Sequence, residues 1–131
     1  MSTALKYSRQ RESIKSYLMS TKSHPTADMV YQVVRKEYPK VSLGTVYRNL
    51  NLLADLGEIL KLDCGDGYDR FDGNTQPHYH VLCTSCNKVD DLEMESIHHI
   101  NTIANASYPG IILDHRTVFY GLCEECKKKQ A

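Results

Sequence analysis

The stretch SLGTVYRNLNLLADLGEILKLDCGDGYDRF, residues 42–71, decides the fold. Ser42 can cap a helix, because its hydroxyl accepts from an N–H of the first turn that has no partner inside the helix. Behind it Leu43, Val46, Leu50 and Leu53 fall on one face at 100° per residue, and Gly57 predicts a stop just after Asp55. Gly44, Tyr47, Arg48 and Asn51 share the opposite face. They offer one aromatic, one basic and one amide group, plus a glycine that admits close backbone approach. Such groups suit base edges and phosphates in a major groove. An ordinary solvated helix face has the same periodicity. The residues after the helix separate the two readings. Glu58–Asp63 has a strand pattern, Cys64-Gly-Asp-Gly67 a turn pattern, and Tyr68–Phe71 a second strand pattern.

Towards the N-terminus the same logic yields two more helices. Ser8 can cap one that carries Ile14, Tyr17 and Leu18 on one side, and Thr26 can cap another with Val30, Val33 and Val34. Pro39 ends the latter at or before Tyr38, since the residue before a proline is pushed out of the helical region. Three helices followed by a hairpin make a winged helix-turn-helix. Charge supports the reading. Residues 1–62 hold ten Lys/Arg against five Asp/Glu, net +5, while 63–131 hold six against eleven, net −5. The overall charge of zero therefore hides a basic half joined to an acidic one. A basic domain of this shape is expected to bind DNA, with Arg9, Arg11, Lys15 and Lys61 as candidate phosphate contacts.

The acidic half carries metal chemistry. Cys83-Thr-Ser-Cys86 and Cys123-Glu-Glu-Cys126 are two CxxC pairs, 36 residues apart. Two intervening residues let both sulfurs of a pair face one ion, and two pairs complete a tetrahedral thiolate shell of the kind zinc takes. A closed four-sulfur site is a structural staple and does no chemistry. Two disulfides or redox pairs are the alternative. The sequence shows no apolar stretch suited to a signal peptide or membrane span, so a reducing cytoplasm is expected and with it the metal reading. Cys64, in a Gly/Asp-rich turn, reads as a bystander thiol, and Lys127–Lys129 as a solvated tail.

A second donor set lies nearby. In an extended segment His78 and His80 point to one side, as two ligands of one ion must. Asp72 closes the hairpin strand, Asp90-Asp91 follow the first CxxC, and His24 precedes Pro25. Imidazole and carboxylate suit Fe(II), Mn(II) or Zn(II). Taken singly, His24 also reads as a loop residue and either aspartate of the pair as a solvated turn. Further on, Val81-Leu82, Val89 with Leu92, Ile111–Leu113 and Val118–Tyr120 read as strands, and Ile97, Ile100, Ile103 and Ala104 mark a helix that ends by Tyr108-Pro-Gly110. So few elements form a poor stand-alone core, so pairing with a second copy is expected.

With these motifs in order the chain resembles the ferric uptake regulator family, most of all its peroxide-responsive branch. The matching runs are His24-Pro-Thr-Ala-Asp28, Ser42–Leu50, Arg70-Phe-Asp72, His78-Tyr-His80 with Cys83 and Cys86, and Tyr120-Gly-Leu-Cys123 with Cys126. The resemblance implies an α+β fold: a winged helix-turn-helix DNA-binding domain over 1–74, then a small α/β metal-binding dimerisation domain over 75–131. It implies structural Zn2+ on Cys83, Cys86, Cys123 and Cys126, and a regulatory Fe2+ or Mn2+ on His24, Asp72, His78, His80 and Asp91, one of each per chain. It implies a homodimer on a pseudo-palindromic double-stranded operator, gripped when metal fixes the angle between the domains. Aspartate at 91 matches the peroxide-responsive branch, where glutamate is usual in iron-uptake regulators. By the same resemblance His24 or His78 is the residue oxidised when peroxide meets bound iron, which would release the metal and the DNA. The same ligands in a metal-level regulator are the alternative. Arg48 after Tyr47 occurs in many iron-uptake regulators and so does not favour the peroxide branch. A third metal site of some relatives has an acidic residue where this chain has Tyr79; its other positions map to His98 and His115, so that site is partial. His99 reads as a surface residue. A zinc hydrolase would need a general base and a substrate pocket, and the sequence offers neither. No enzymatic activity, membrane contact or small-molecule substrate other than peroxide is expected.

Overall fold

Three side-chain caps begin the three helices of the first half. Ser8 Oγ accepts from Arg11 N (3.2 Å) at the start of α1 (Arg9–Ser20), Thr26 Oγ1 from Met29 N (3.4 Å) at α2 (Ala27–Glu37), and Ser42 Oγ from Thr45 N (3.0 Å) at α3 (Leu43–Asp55). All three fall where the sequence places them. Gly57 sits at φ +76°, the left-handed conformation that lets the chain leave α3. An antiparallel hairpin comes next, β1 (Leu60–Asp63) with β2 (Asp69–Asp72), in the register Leu60↔Asp72 to Asp63↔Asp69. The strands start two residues and one residue later than their sequence patterns.

This computed structural model describes residues 7–76, 78–97 and 99–130, which fall into two compact units that divide between Thr75 and Gln76. The first has a continuous core of Ile14, Leu18, Ala27, Val30, Val34, Val46, Leu50, Leu53, Ile59 and Phe71. Val33 is the exception to the helical reading. Ala27, Val30 and Val34 fill the buried stripe of α2, and Val33 lies at its margin, 36% exposed.

The second unit is a three-stranded sheet, in the order β4-β3-β5, with two helices. β3 (Tyr79–Cys83) pairs antiparallel with β4 (Val89–Leu92) and parallel with β5 (Val118–Gly121), and α4 (His99–Ala106) lies in the crossover to β5. No strand forms at Ile111–Leu113, contrary to expectation. The Asn105 side chain supplies what a strand partner would: its Oδ1 accepts from Ile112 N (2.7 Å) and its Nδ2 donates to Ile112 O (3.0 Å). Ile111 and Leu113 are left 78% and 86% exposed. Residues 124–129 are helical rather than a loose tail. In α5 (Glu124–Lys129) acidic residues occupy the first turn and lysines the last, which suits the helix dipole.

Candidate metal centres and nucleic-acid face

The parallel pairing of β3 with β5 builds the sulfur site. Cys83, the last residue of β3, pairs with Gly121, and Thr84 N donates to Gly121 O (2.8 Å), so the chain leaves β5 beside the first CxxC and reaches Cys123 two residues later. The first pair is folded by a tight turn. Asn87 N donates to Cys83 O (2.9 Å), Cys83 N to Lys88 O (2.8 Å), and Cys86 N reaches Cys83 Sγ at 3.5 Å. Asn87 takes φ 65° there, and asparagine is one of the few side chains that tolerates it. The second pair straddles the first turn of α5, where Cys123 is the N-cap.

All four sulfurs lie within 4.8 Å of one another, with Cys83, Cys123 and Cys126 buried, and no disulfide is present among the described residues. Backbone N–H groups of Cys123 and then Cys86 aimed at Cys83 hold its thiol pKa down, to about 6. A hydrogen bond with the Ser85 side chain acts in the same sense on Cys126, but the sulfurs of Cys123, Cys83 and Cys86 outweigh it and push that thiol up to about 11. Four sulfurs packed this closely cannot all be thiolates without a cation among them, and the donor set fits Zn(II).

The imidazole and carboxylate donors form one cluster in each unit. In the first, Phe71 N donates to Pro25 O (2.9 Å) and Thr26 makes an antiparallel bridge with Arg70, so the segment around Pro25 runs along the free edge of β2. That brings His24 Nε2 to 3.2 Å from Asp72 Oδ2, with both residues buried. Asn74 N donates to the other carboxylate oxygen, Asp72 Oδ1, at 2.9 Å. His24 sits at φ 52°, a left-handed conformation that costs a non-glycine residue about 1 kcal/mol or more.

In the second unit the register His80↔Asp91 sets that pair directly across β3 and β4, and His78 lies two residues along. Asp91 Oδ1 is 3.0 Å from His78 Nε2 and 3.4 Å from His80 Nε2, and the two rings are 4.3 Å apart. His78 Nδ1 lies 2.6 Å from Gln76 O. A carbonyl only accepts, so Nδ1 carries a proton towards Gln76, and Nε2 is the ring nitrogen turned to Asp91. One carboxylate oxygen facing two imidazole nitrogens is a donor set that can hold a cation, and the hydrogen bond from His78 Nδ1 to Gln76 O is of the kind that supports a metal-bound histidine. The Asp90-Asp91 pair is therefore strand, not turn. His115 bonds Asn101 Oδ1 through Nδ1 (2.7 Å), His99 is exposed, and His98 lies outside the described residues.

The proposed DNA-reading face is solvent-accessible. Gly44, Tyr47 and Arg48 are exposed on α3, opposite the buried Val46, Leu50 and Leu53. Arg48 Nη2 donates to Thr45 Oγ1 (3.2 Å). Lys61 Nζ donates to Asn51 Oδ1 (3.1 Å) and stands 3.6 Å from Asp69. An ammonium only donates, so this bond orients the Asn51 amide with Oδ1 towards Lys61. Lys15 pairs with Glu58, tying α1 to the turn after α3, while Arg9 is exposed and Arg11 half-buried. Cys64 is buried and its thiol is pushed up by burial, which fits an inert packing role.

Sequence reasoning passed over four supporting residues: Gly73, Asn74, Gln76 and Asp66. The Asp72-Gly-Asn74 turn signal was the available clue to two of them. A side chain on Gly73 would place its Cβ 2.5 Å from Leu18 O, so only glycine lets the chain pass the end of α1 and set Asp72 in place.

A winged helix joined to a thiolate centre and to imidazole–carboxylate clusters defines a metal-binding transcription regulator. The model of the ferric uptake regulator family matches residues 2–120, and the chain belongs to that family. The peroxide-responsive repressor PerR of Staphylococcus aureus (strain USA300) is 38% identical over 120 residues, which cover 92% of this chain and 81% of that protein. The Helicobacter pylori ferric uptake regulator Fur, described as having three functional metal binding sites, superposes with a TM-score of 0.81 at 25% identity, over 94% of this chain and 83% of the other. The Campylobacter jejuni peroxide stress regulator superposes with a TM-score of 0.73 at 28% identity, over 89% and 88%.

Proposed function

We propose that the chain is a metal-dependent transcriptional repressor that senses hydrogen peroxide through iron-catalysed oxidation of a histidine ligand, and so derepresses peroxide-stress genes. The observation that carries this reading is the donor chemistry of the two clusters. His24 with Asp72, and His78 and His80 with Asp91, offer only imidazole nitrogen and carboxylate oxygen. Such donors suit Fe(II) or Mn(II), and the thiolates are set aside for Zn(II). Two donors from the first unit and three from the second would hold the ion, and five protein ligands would leave room for peroxide to reach it.

Fe(II) held by these residues would supply the one-electron chemistry that opens the peroxide O–O bond, and the histidine ring would supply the two electrons of the net oxidation. In the net reaction one oxygen adds to the ring of His24 or His78 and the other leaves as water. The residues set the stage for this. Gln76 O fixes the His78 tautomer, and Asn74 N holds Asp72 so that its second oxygen faces His24. An oxidised ring is a poorer donor, and a ligand lost from either set uncouples the two units. The ion then no longer biases them towards the arrangement that fits DNA. Tyr47, Arg48, Asn51 and Gly44 read the operator; Arg9, Arg11 and Lys61 add phosphate contacts, and Lys15 contributes less because Glu58 holds it. A homodimer places two such faces on a pseudo-palindromic site. The protein works in the cytoplasm, binds one zinc and one regulatory ion per chain, and catalyses no turnover of a substrate.

A second reading, a regulator of metal level, is supported by the likeness to a ferric uptake regulator at a TM-score of 0.81. Fluorescence anisotropy separates the two, on duplexes selected from a random library by the Mn(II)-loaded protein. The peroxide reading expects the Fe(II)-loaded protein to lose DNA after substoichiometric peroxide and the Mn(II)-loaded protein to keep it. Retention in both forms favours the metal-level regulator.

A further inference from the structure

Arg70 is a charged residue buried inside a DNA-binding unit, and the proposed sensing chemistry does not use it. It is 6% exposed, in the middle of β2, where Arg70, Phe71 and Asp72 are three consecutive buried positions. A buried guanidinium needs a carboxylate close by. Asp66, in the turn of the wing, supplies it with two parallel bonds, Nη1–Oδ1 at 3.0 Å and Nη2–Oδ2 at 2.7 Å. Asp66 is itself fixed, since its Oδ1 accepts from Tyr68 N (3.2 Å). The Arg70 guanidinium beside it holds the Asp66 carboxyl below the usual carboxylate range.

Arg70 is also the junction of three chain segments. Its backbone pairs with Leu62 of β1 on one side and bridges to Thr26 on the other, and the next residue, Phe71, donates to Pro25 O. His24, held at φ 52°, is two residues before Thr26, and Asp72 is two residues after Arg70, so the Arg70 and Asp72 side chains leave β2 on the same side. A left-handed histidine persists only where its surroundings hold it, and here the holding contacts are those of Pro25 and Thr26 with β2.

We propose that the Asp66–Arg70 ion pair positions the His24–Asp72 donors, with Arg70 as a positioning residue and the wing turn as its anchor. The pair keeps the Arg70 segment of β2 buried and straight, β2 holds the Pro25–Thr26 edge, and that edge sets His24 against Asp72. Without the Asp66 charge, Arg70 gains by turning to water, and only the backbone pairing and Phe71 are left to hold the end of β2 that carries Asp72. The inference rests on the proposed reading of His24 and Asp72 as metal donors.

The test is Mn(II) affinity of the full-length, zinc-loaded protein, measured by electron paramagnetic resonance for Asp66→Asn, Arg70→Lys, Asp72→Asn and Val34→Ala. Asp66→Asn keeps the shape and removes the charge. It is expected to weaken Mn(II) binding by about tenfold or more, the range for loss of an outer-sphere support, with zinc content unchanged. Arg70→Lys keeps the charge but not the fork, and should fall between Asp66→Asn and the unaltered protein. Val34→Ala lowers the thermal stability of the same unit through its core and should leave Mn(II) affinity within about twofold. Asp66→Asn within twofold of the unaltered protein, while Asp72→Asn is strongly impaired, overturns the positioning role alone. So does a loss in Asp66→Asn that Val34→Ala reproduces at equal stability. Undiminished binding in Asp72→Asn overturns the reading of the donors, and the inference with it.

Discussion

The two units keep their structure by different means. The first has an uninterrupted apolar core in which Ile14, Val30, Val46, Leu50 and Phe71 are wholly buried. The second buries little besides Tyr79, Leu82, Val89 and three cysteines, and its α4 buries no residue at all. Its large apolar side chains Ile103, Ile111, Leu113 and Tyr120 stand exposed. A unit that reads DNA must keep one surface fixed whatever its metal state, and a self-sufficient core does that. On the proposed reading the second unit would depend on sulfur ligation and on a covering partner, which would make its integrity conditional. Small domains with thin cores generally need such a staple or oligomerisation.

The widest gap between the units should open on removal of the thiolate centre. In Cys123→Ser, zinc is expected to fall to background by elemental analysis, and β3–β5 amides should lose hydrogen-exchange protection. The apparent loss is on the order of 10 kcal/mol, the scale of structural zinc sites. Amides of α1–α3 should stay protected. Equal loss of protection in both units would show that the first is not self-sufficient.

The converse experiment is Phe71→Ala. It empties the centre of the first core and should cost about 3–5 kcal/mol in denaturant unfolding of that unit, with zinc content intact. Gly73→Ala sharpens the comparison at the metal donors. The added Cβ meets the Leu18 carbonyl at 2.5 Å, so the backbone beside Asp72 must shift. Overpacking of this kind costs about 1–3 kcal/mol. Mn(II) affinity should fall with it, and a variant of unchanged affinity would separate Gly73 from the site.

A smaller effect is expected at the DNA face. Tyr47→Ala and Arg48→Ala should each weaken operator binding by about 1–3 kcal/mol, with zinc and Mn(II) content unchanged. Unaltered affinity would remove α3 as the reading element. The smallest change is expected from Leu113→Asp, which places a charge on the uncovered apolar face. Sedimentation velocity should show a weaker dimer in which each chain still holds its zinc.

Much of this was legible in the sequence where a local rule acts. Ser8, Thr26 and Ser42 mark helix starts because a capping hydroxyl works within three residues, and a CxxC pair announces itself because chelation does too. The rest depends on contacts between distant segments. His24 reads as a loop histidine until the Pro25–Thr26 segment joins the edge of β2. Ile111–Leu113 has the composition of a strand, but the Asn105 side chain takes its backbone bonds. Glu124–Lys129 has no apolar period to reveal a helix; its charges suit the helix dipole, and the buried Cys126 ties it to the sulfur cluster. The Asp66–Arg70 pair is invisible for a similar reason, since an aspartate in a glycine-rich turn gives no hint that a buried arginine will meet it.

The proposed function requires that the His/Asp donors hold a peroxide-reactive iron. The most direct measurement is peptide mass spectrometry of the full-length protein after anaerobic Fe(II) loading and brief exposure to hydrogen peroxide, with an Mn(II)-loaded sample alongside. One added oxygen is expected on the peptide containing His24 or the one containing His78, in the iron sample only. Unmodified histidines in both samples, with iron bound and DNA retained, would contradict the proposed function.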